Sequence, residues 1–486
     1  MTSDSRPAPV RFPPDPFGAP FRTECDIRDC EVEGEIPVDL NGAFYRVGPD
    51  FQYPPRVPNI PFDGEGHVAM FRISNGHVDF RSRYVRTQRF KAQREARQSL
   101  FGTYRNPHTD DPRVKKVSRG TANTNIIFHA GKLLALKEDS PPVVMDPHTL
   151  DTLDDYHTFG GTLESLTFTA HPKIDSSSGE MIGFGYEAKG EATDDVAVFS
   201  VDRNGRLNWS AWIKVPYVGM LHDFAVTDSH IAFLVIPMTT NVEEMKKGKV
   251  HFAWDSSLPT WFGVMRRGGD GKDLRWFKGP ERCATHVMGA FSDGNTIHVD
   301  VDMALKNQFP FFPNLHGEPF DPMGAQGRLT RLSVDVAGPA KLYDMQVLFP
   351  QVGMLPRQDD RYHTQPYRFG FMPTLDPERP LHERLAASPM RPLNCYTRFD
   401  QLKQEANSFF VGSDSGLGEC CFAPRRQSAA EGDGYLMGTT NRLLEGRTDF
   451  LIVDTQDLQA GPVATVRLPF RLNMGIHHLW VPDATT

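Results

Sequence analysis

The sequence of 486 residues has little cysteine and no long apolar run. Its six cysteines lack the spacing of a zinc finger and are too few for a disulfide framework in a chain of this length. They are Cys25, Cys30, Cys283, Cys395, Cys420 and Cys421. We therefore expect reduced thiols and a cytoplasmic protein. No stretch approaches the roughly 18 apolar residues of a membrane-spanning helix, and the first 20 residues lack the apolar core of a secretory signal.

The chain also lacks an excess of basic charge. Its 53 Lys and Arg stand against 61 Asp and Glu, which gives a formal net charge of −8. Proteins that bind nucleic acid through its phosphates usually carry a basic surplus. The local basic surplus in residues 81–105 is interpreted as a solvated surface. We expect no nucleic-acid partner.

Turn formers and aromatic residues are abundant instead, with 41 Gly, 39 Pro and 34 Phe. Short apolar runs recur between turn signals such as Ser74-Asn75-Gly76 and Arg203-Asn204-Gly205. The predicted strands are 42–47, 68–73, 132–136, 182–186, 197–201, 231–236, 296–301, 328–334, 408–411, 435–440 and 450–454. Helical periodicity is limited to 88–100, 242–246 and 378–386. The pattern predicts an all-β fold.

Residues 1–20 carry six prolines and are predicted to form an extended arm. Residues 21–486 contain no Gly/Ser-rich break, so we expect one large domain rather than several. No strict repeat is visible, and the number of strands favours a β-propeller. A large sandwich and a multi-domain β protein remain alternatives on these observations.

Four of the 17 histidines have small or apolar neighbours, in contrast to histidines such as His67 and His129 that adjoin turns and suggest solvent exposure. The four are His171, His222, His286 and His477. The first three are separated by 51 and 64 residues, which is comparable to the length of one propeller blade. The fourth follows 191 residues after the third, about three times the interval of 64. Inner propeller strands converge on the axis, and neutral imidazoles bind Fe, Zn, Cu or Ni. Each histidine alone could equally be an ordinary core or surface residue.

Several segments between about Pro37 and Trp480 resemble the carotenoid cleavage oxygenase family. They are Asn41–Pro49, Phe62–His67, Thr169–Lys173 with Gly183–Tyr186, and His222–Ala225. The resemblance implies a single seven-bladed β-propeller, with short helices and loops capping the face that contains one Fe(II). It implies His171, His222, His286 and His477 as the iron ligands. His478 is the neighbour most easily confused with the fourth ligand.

The family also has three glutamates that orient the ligating histidines. Two are matched here, by Glu138 in Leu134–Glu138 and by Glu419 in Gly418–Pro424. At the third position, just before Leu355-Pro356-Arg357, this chain has Met354. A ligating imidazole usually donates its second N–H to a carboxylate, carbonyl or water. A backbone carbonyl, a water molecule or Asp359 could take the place of the missing glutamate.

Within the family, the chain most resembles the bacterial lignostilbene dioxygenases. Three positions carry this narrower resemblance, namely Phe62, Tyr104 and Lys137. The resemblance implies that Tyr104 and Lys137 bind the 4-hydroxyl of a stilbene while Phe62 packs against its ring. A nearby ammonium favours the phenolate, whose electron density can extend to the central C=C. The expected reaction is cleavage of that bond by O2 to two aromatic aldehydes. Without the resemblance, Lys137 could be a solvent-facing lysine at the end of a strand.

Other interpretations and partners follow from the same resemblance. An apocarotenoid or carotenoid cleavage dioxygenase on the same fold is the alternative enzyme, and a propeller that only binds is the alternative without catalysis. The aromatic segment Phe309–Leu315 is expected to line the route to the iron, or else to form a buried loop between blades. A small phenolic substrate is the expected partner. A homodimer is possible, and membrane association is not expected because the aromatic segment lacks basic neighbours.

Overall fold

The computed structural model describes residues 9–12, 19–387 and 392–483, and this part contains 32 β-strands and three short α-helices. The first strands are β1 (Cys25–Ile27), β2 (Glu31–Gly34), β3 (Gly42–Asp50), β4 (Glu65–Ser74), β5 (His77–Tyr84), β6 (Asn125–His129), β7 (Lys132–Leu136), β8 (Val143–Met145), β9 (Thr152–Asp154), β10 (Lys173–Ile174), β11 (Met181–Tyr186), β12 (Asp195–Val201), β13 (Leu207–Lys214), β14 (Gly219–Met220), β15 (Phe224–Val226) and β16 (His230–Thr240). They are followed by β17 (Phe252–Trp254), β18 (Trp261–Arg266), β19 (Arg275–Lys278), β20 (Cys283–Asp293), β21 (Thr296–Ala304), β22 (Arg328–Asp335), β23 (Asp344–Gly353), β24 (Arg357–Gln358), β25 (Phe369–Leu375), β26 (Cys395–Asp400), β27 (Glu405–Phe410), β28 (Ser415–Pro424), β29 (Gly434–Arg442), β30 (Arg447–Asp454), β31 (Pro462–Arg467) and β32 (His477–Pro482). The helices are α1 (Gln88–Ala96), α2 (Val242–Lys246) and α3 (Glu383–Ala386).

Every run predicted as a strand overlaps an observed strand, which confirms the all-β fold. The helices differ more from prediction. Helix α1 starts as predicted after Thr87, whose hydroxyl accepts from the Phe90 amide, but it ends early because Arg97 adopts a left-handed conformation with φ of 52°. Helix α3 starts later than predicted, because Pro380 disfavours helical geometry in the residue before it.

The strands form seven antiparallel groups, which we call blades one to seven. Blade one contains β1, β3, β4, β5 and β32; blades two and three contain β6–β9 and β10–β13; blade four contains β14–β19; blades five and six contain β20–β23 and β24–β27; and blade seven contains β2 and β28–β31. Blades five and six share one eight-stranded sheet, because β23 and β25 pair at Val352 with Leu375 and at Gly353 with Thr374. The seven blades are those of the predicted propeller.

Strands from the two ends of the chain close the ring of blades. Strand β32 pairs with β3, from Gly42 opposite Pro482 to Val47 opposite His477. Strand β2 pairs with β31 and completes blade seven. Strand β28 contacts β24 and β32 of the neighbouring blades, and β32 also contacts β6. Strands β15 and β20 make the same kind of contact between blades four and five. These strands therefore lie on the inner side of the ring, where the inner strands of a propeller converge.

Apolar side chains fill the spaces between blades. The largest cluster joins blades three, four and five and includes Phe184, Phe224, Phe233 and Val299, none of which exposes any surface. Phenylalanine buries a large apolar area per residue. Part of the high phenylalanine content therefore belongs to the core.

The predicted arm lies mostly outside the described residues, since residues 1–8 and 13–18 are not among them. The division into an arm of residues 1–20 and a domain of residues 21–486 therefore stays a prediction. The six cysteines are free thiols, as predicted. Among the described residues, no helix has both the length and the apolar character needed to span a membrane.

Candidate metal centre and adjoining pocket

The four singled-out histidines come from four different blades and meet at one point. His171 lies just before β10, His222 lies between β14 and β15, His286 lies within β20, and His477 is the first residue of β32. Each offers one ring nitrogen, and these four atoms lie within 4.8 Å of one another. The Nε2 atom of His222 is 3.2 Å from that of His171 and 3.1 Å from that of His286. The structure thus brings together all four predicted residues.

Two glutamates determine which ring nitrogens of this cluster carry protons. Nδ1 of His222 donates to Oε1 of Glu138, and Nδ1 of His477 donates to Oε1 of Glu419 at 3.0 Å. Burial alone would raise the pKa of Glu138, but the His222 imidazole outweighs it and holds that pKa at about 2. With Nδ1 protonated, a neutral imidazole presents the lone pair of Nε2 to the centre of the cluster.

Converging lone pairs repel one another unless a cation lies between them. Nε2 of His477 is buried and has no hydrogen-bond partner among the described residues. Burial, together with the charge that the other histidines can carry, lowers the pKa of His171 well below its usual value and keeps that ring neutral. Metal–imidazole bonds are about 2.1 Å long, so donors at right angles around one ion lie about 3 Å apart. The donor set and its spacing fit a transition-metal ion.

The carboxylate that faces His286 is Asp302, and not Asp359, which was one of the three possible replacements for the missing glutamate. Oδ2 of Asp302 lies 3.7 Å from Nδ1 of His286, and Oδ1 accepts the His286 backbone amide at 2.6 Å. Asp302 is completely buried and also accepts from the amide and hydroxyl of Thr285. Asp359 instead binds the Arg361 guanidinium. Met354, at the position of the missing glutamate, lines a separate apolar cavity.

A second group of predicted residues forms a largely buried cluster of side chains, which we call the pocket around Lys137. Nζ of Lys137 donates to the Phe62 carbonyl at 3.1 Å and to Oδ1 of Asn123 at 3.0 Å, and lies 5.2 Å from the centre of the Tyr104 ring. Lys137 is only 2% exposed, so the alternative of a solvent-facing lysine is wrong. Phe62, Tyr104 and Lys137 are therefore neighbours, as the prediction required.

The aromatic segment that was expected to line the route to the metal packs against this pocket. The Phe62 and Phe311 rings meet edge to face with 5.1 Å between centroids, and the Tyr104 and Phe312 rings are 5.8 Å apart. The peptide chain links the pocket directly to the metal centre, because Glu138, which binds His222, is the residue after Lys137.

A separate cavity of about 290 Å³ reaches the histidines from another direction. It is lined by His171, His286 and His477, and also by the charged side chains of Lys173 and Arg357. Phe62, Tyr104 and Lys137 are absent from its walls. The histidine cluster therefore borders this cavity, and Glu138 connects the cluster to the residues around Lys137.

Comparison with known proteins agrees with this geometry. A family model described as RPE65, retinal pigment epithelial membrane protein, matches residues 18–482. The chain belongs to the RPE65/carotenoid oxygenase family. It is 43% identical over 466 residues to lignostilbene-alpha,beta-dioxygenase isozyme III of Sphingomonas paucimobilis, covering 95% of each chain. It is 42% identical to isoeugenol monooxygenase of Pseudomonas nitroreducens, covering 95% of this chain and 96% of the relative. The crystal structure of Pseudomonas brassicacearum lignostilbene dioxygenase matches with a TM-score of 0.95 and 39% identity, over 98% of this chain and all of that one.

In this member of the family, His478 does not take part in the histidine cluster. Its ring packs edge-on against Phe44 at 5.0 Å, and neither ring nitrogen has a hydrogen-bond partner among the described residues. Successive residues of a strand point to opposite faces. Strand β32 therefore directs His477 towards the other histidines and His478 away from them, in agreement with the preference for His477.

Three residues of this oxygenase's centre were missed by the sequence analysis. Arg357 donates to Oε2 of Glu419 at 3.3 Å, and it is the main reason why the pKa of Glu419 stays at about 2 although burial opposes this. Asp302 faces His286, and Asn123 binds Lys137. An acidic residue in the apolar run of β21 was the available signal for Asp302. Asn123 and Arg357 carry no comparable signal.

Two sequence interpretations of other polar residues are wrong. His67 is 1% exposed, with Nε2 at 3.0 Å from the Thr23 carbonyl, and His129 is also buried. The basic segment 81–105 is not wholly a solvated surface, because Arg89 and Arg105 are buried in ion pairs with Asp63 and Glu187. The partners come from distant segments, so the local sequence does not show that these charges are compensated.

Proposed function

We propose that this member of the family is a non-haem Fe(II) oxygenase that uses O2 to cleave the central C=C of 4-hydroxystilbenes into two aromatic aldehydes. Four converging imidazoles are a donor set that suits iron. Fe(II) held by His171, His222, His286 and His477 would supply the activation of O2. The curated relatives named for lignostilbene and isoeugenol support oxidation of a phenolic alkene.

The observation that carries this proposal is the environment of the Lys137 ammonium. Both of its hydrogen bonds go to neutral oxygens, and no carboxylate oxygen of the described residues lies within 4.0 Å of Nζ. Burial lowers the pKa of Lys137, and Asp139 and Glu138 only partly oppose this. A buried charge without a paired charge is costly. An arriving phenolate would provide the missing counter-charge and accept the third N–H.

Tyr104 and Phe62 complete the recognition of a phenol ring. The Tyr104 hydroxyl makes no hydrogen bond within the described ranges of the chain, and burial raises its pKa well above the usual value, so it stays protonated and can donate. The Phe62 and Phe311 rings offer an apolar wall for the aromatic ring. Holding the phenol as its anion raises the electron density of the conjugated alkene. Glu138, next to Lys137, keeps the His222 ring oriented.

Carotenoid hydrocarbons fit this pocket less well than phenols do. A polyene without a hydroxyl would leave the Lys137 ammonium buried and uncompensated. A propeller that only binds its ligand is disfavoured, because all four histidines and two orienting glutamates are in place. A 4-hydroxyphenylpropene such as isoeugenol satisfies the same phenol site and is the second candidate substrate.

The proposal is tested with iron-loaded protein and four substrates, which are 4-hydroxystilbene, 4-methoxystilbene, isoeugenol and a β-apocarotenal. Products are identified by liquid chromatography and mass spectrometry. A hydrogen bond to a charged group contributes about 1.5–3 kcal/mol, so we expect kcat/KM for the hydroxystilbene to exceed that for the methoxy analogue about 10- to 150-fold. Equal values for the two stilbenes, or faster cleavage of the apocarotenal, would overturn the proposal. The comparison of hydroxystilbene with isoeugenol ranks the two candidate substrates.

We also propose a cytoplasmic location, which the six free thiols support. The homodimer and the absence of nucleic-acid and membrane partners stay predictions. Sedimentation of the purified protein tests the first of them.

A further inference from the structure

The side chain of Asn123 lies between the ammonium of Lys137 and the backbone of Phe62 and Gly64. It is completely buried, just before strand β6. Its Nδ2 group donates to the carbonyls of Phe62 at 2.8 Å and Gly64 at 2.6 Å. Its Oδ1 atom accepts from Lys137 Nζ and from the Thr124 hydroxyl, both at 3.0 Å. An asparagine side chain has two donors and two acceptor sites, and all four are used here.

The neighbours of Asn123 determine which way its side-chain amide is oriented. Carbonyl oxygens can only accept, so Nδ2 must face Phe62 and Gly64, whereas an ammonium can only donate, so Oδ1 must face Lys137. The Phe62 carbonyl accepts from both Asn123 and Lys137. One amide group thus ties the backbone of Phe62 to the position of the cation.

We propose that Asn123 is a positioning residue that fixes the Lys137 ammonium while leaving its charge available to the substrate, and so determines the selectivity for a phenol. This inference rests on the proposed function, because it assumes that Lys137 binds a phenol. A neutral oxygen can hold the ammonium in place without cancelling its charge. A carboxylate at the same position would form an ion pair with Lys137 and compete with the phenolate.

The carboxylates near Lys137 do not form an ion pair with its ammonium. Glu138 is engaged by His222, and Asp63 is engaged by Arg89 at 3.1 Å. Neither is paired with Lys137, although both influence its pKa. The ammonium of Lys137 is therefore held by neutral groups, and two of the three neighbouring carboxylates are bound elsewhere. The third, Asp139, forms no ion pair with Lys137, and its buried Oδ1 atom has no hydrogen-bond partner among the described residues.

The test measures ligand binding without turnover. Iron-loaded protein is mixed under argon with 4-hydroxystilbene or 4-methoxystilbene, and the dissociation constants are measured by fluorescence titration. Absorption spectra show in addition whether the bound hydroxystilbene is the phenolate. We expect the wild-type protein to bind the hydroxy ligand about 10- to 150-fold more tightly than the methoxy ligand, with a phenolate spectrum.

Two substitutions separate the charge of residue 123 from its hydrogen bonds. Asn123→Asp retains an oxygen facing Lys137 but introduces a negative charge, and we expect the preference for the hydroxy ligand to fall to about 2-fold or less, with loss of the phenolate spectrum. Asn123→Ala removes the anchor without adding charge, and we expect a smaller loss, of about 3- to 10-fold in the preference. A dissociation constant for the methoxy ligand that stays at the wild-type value shows that each variant retains a formed binding site.

Two further variants serve as controls. Thr124→Val removes the other hydrogen bond to Oδ1 of Asn123 and should keep the full preference; loss of the preference there would show that it reports general packing, and would overturn the inference. Lys137→Met should abolish the preference. If the wild-type protein shows none, the proposed phenol recognition itself fails. If Lys137→Met loses the preference while both Asn123 variants keep it, only the role of Asn123 is refuted.

Discussion

Replacing Asp302 by asparagine should weaken iron binding without unfolding the protein. Asp302 is the carboxylate that faces His286, with its Oδ2 atom 3.7 Å from Nδ1, and that ring nitrogen has no hydrogen-bond partner among the described residues. In Asp302→Asn the amide oxygen can still accept from the backbone amides of Thr285 and His286. The new NH2 group can donate to the Thr285 hydroxyl, which itself donates to Gln308. The variant thus changes the charge that His286 faces and preserves the local hydrogen bonds.

The expected loss of iron affinity follows from the distance between the Asp302 carboxylate and the His286 ring. Two unit charges about 4 Å apart interact by about 4 kcal/mol at an effective dielectric constant of 20. The imidazole of a metal ligand carries only part of a charge, so the effect is smaller. Loss of such an outer carboxylate typically weakens metal binding about 10- to 100-fold. We expect a loss in that range for Asp302→Asn.

The assay is anaerobic competition for Fe(II) between metal-free protein and a chromophoric chelator, followed by the visible absorption of Co(II)-loaded protein as a second signal. Asp359→Asn is the matched control, because its carboxylate binds Arg361 and does not face a histidine. It should leave the iron affinity within about 2-fold of wild type, since no outer carboxylate of the centre is changed. An unchanged affinity in Asp302→Asn, or an equal loss in Asp359→Asn, would refute the assignment.

Three further predictions concern the pocket, an ion pair and a close backbone contact. Tyr104→Phe should lower kcat/KM for 4-hydroxystilbene about 2- to 10-fold, because one neutral hydrogen bond is lost; steady-state kinetics would contradict this if the value were unchanged. Burial raises the pKa of Glu187, but His251 and Arg105 bind its carboxylate and together lower that pKa from 4.5 to about 2. Glu187 therefore stabilises the fold above about pH 4.5 and loses that contribution as the pH falls towards 2. Glu187→Gln should therefore cost about 3 kcal/mol in urea unfolding at pH 7 and clearly less at pH 3, and an equal loss at both would contradict the assignment. Gly66→Ala would place Cβ 2.2 Å from a carbonyl oxygen and should lower the thermal midpoint by several degrees, whereas Gly416→Ala, with its nearest neighbour at 3.9 Å, should not.

Local patterns in the sequence were sufficient to predict 11 of the 32 described strands and to single out the four histidines, whose role as metal ligands came from the family resemblance. Alternation of apolar residues and turn signals depends on neighbours a few positions apart, so the run at 132–136 matched an observed strand in full. The histidines stood out because their immediate neighbours are small or apolar. Family resemblance added Glu138 and Glu419, which the structure places against His222 and His477.

The residues that the sequence analysis missed are those whose partners lie far away along the chain. Arg357 reaches Glu419 across 62 residues, and nothing near either residue shows the contact. The same applies to His67, whose turn sequence suggests exposure but whose ring lies under the segment that contains Thr23. For Asp302 the physical reason is different. The loss of a glutamate predicts that a replacement is needed, but not which strand supplies it.

The pairing of β32 with β3 has a consequence for how the metal centre is made. His477 is the first residue of β32, and it lies opposite Val47 near the other end of the chain. During synthesis the other three histidines leave the ribosome well before this last strand. A nascent chain with six blades in place would still hold an incomplete set of donors, so mature metal affinity arises only when the final strand docks. Assembly of the centre thereby acquires a built-in order, in which the scaffold is completed before all four histidines can hold a metal ion.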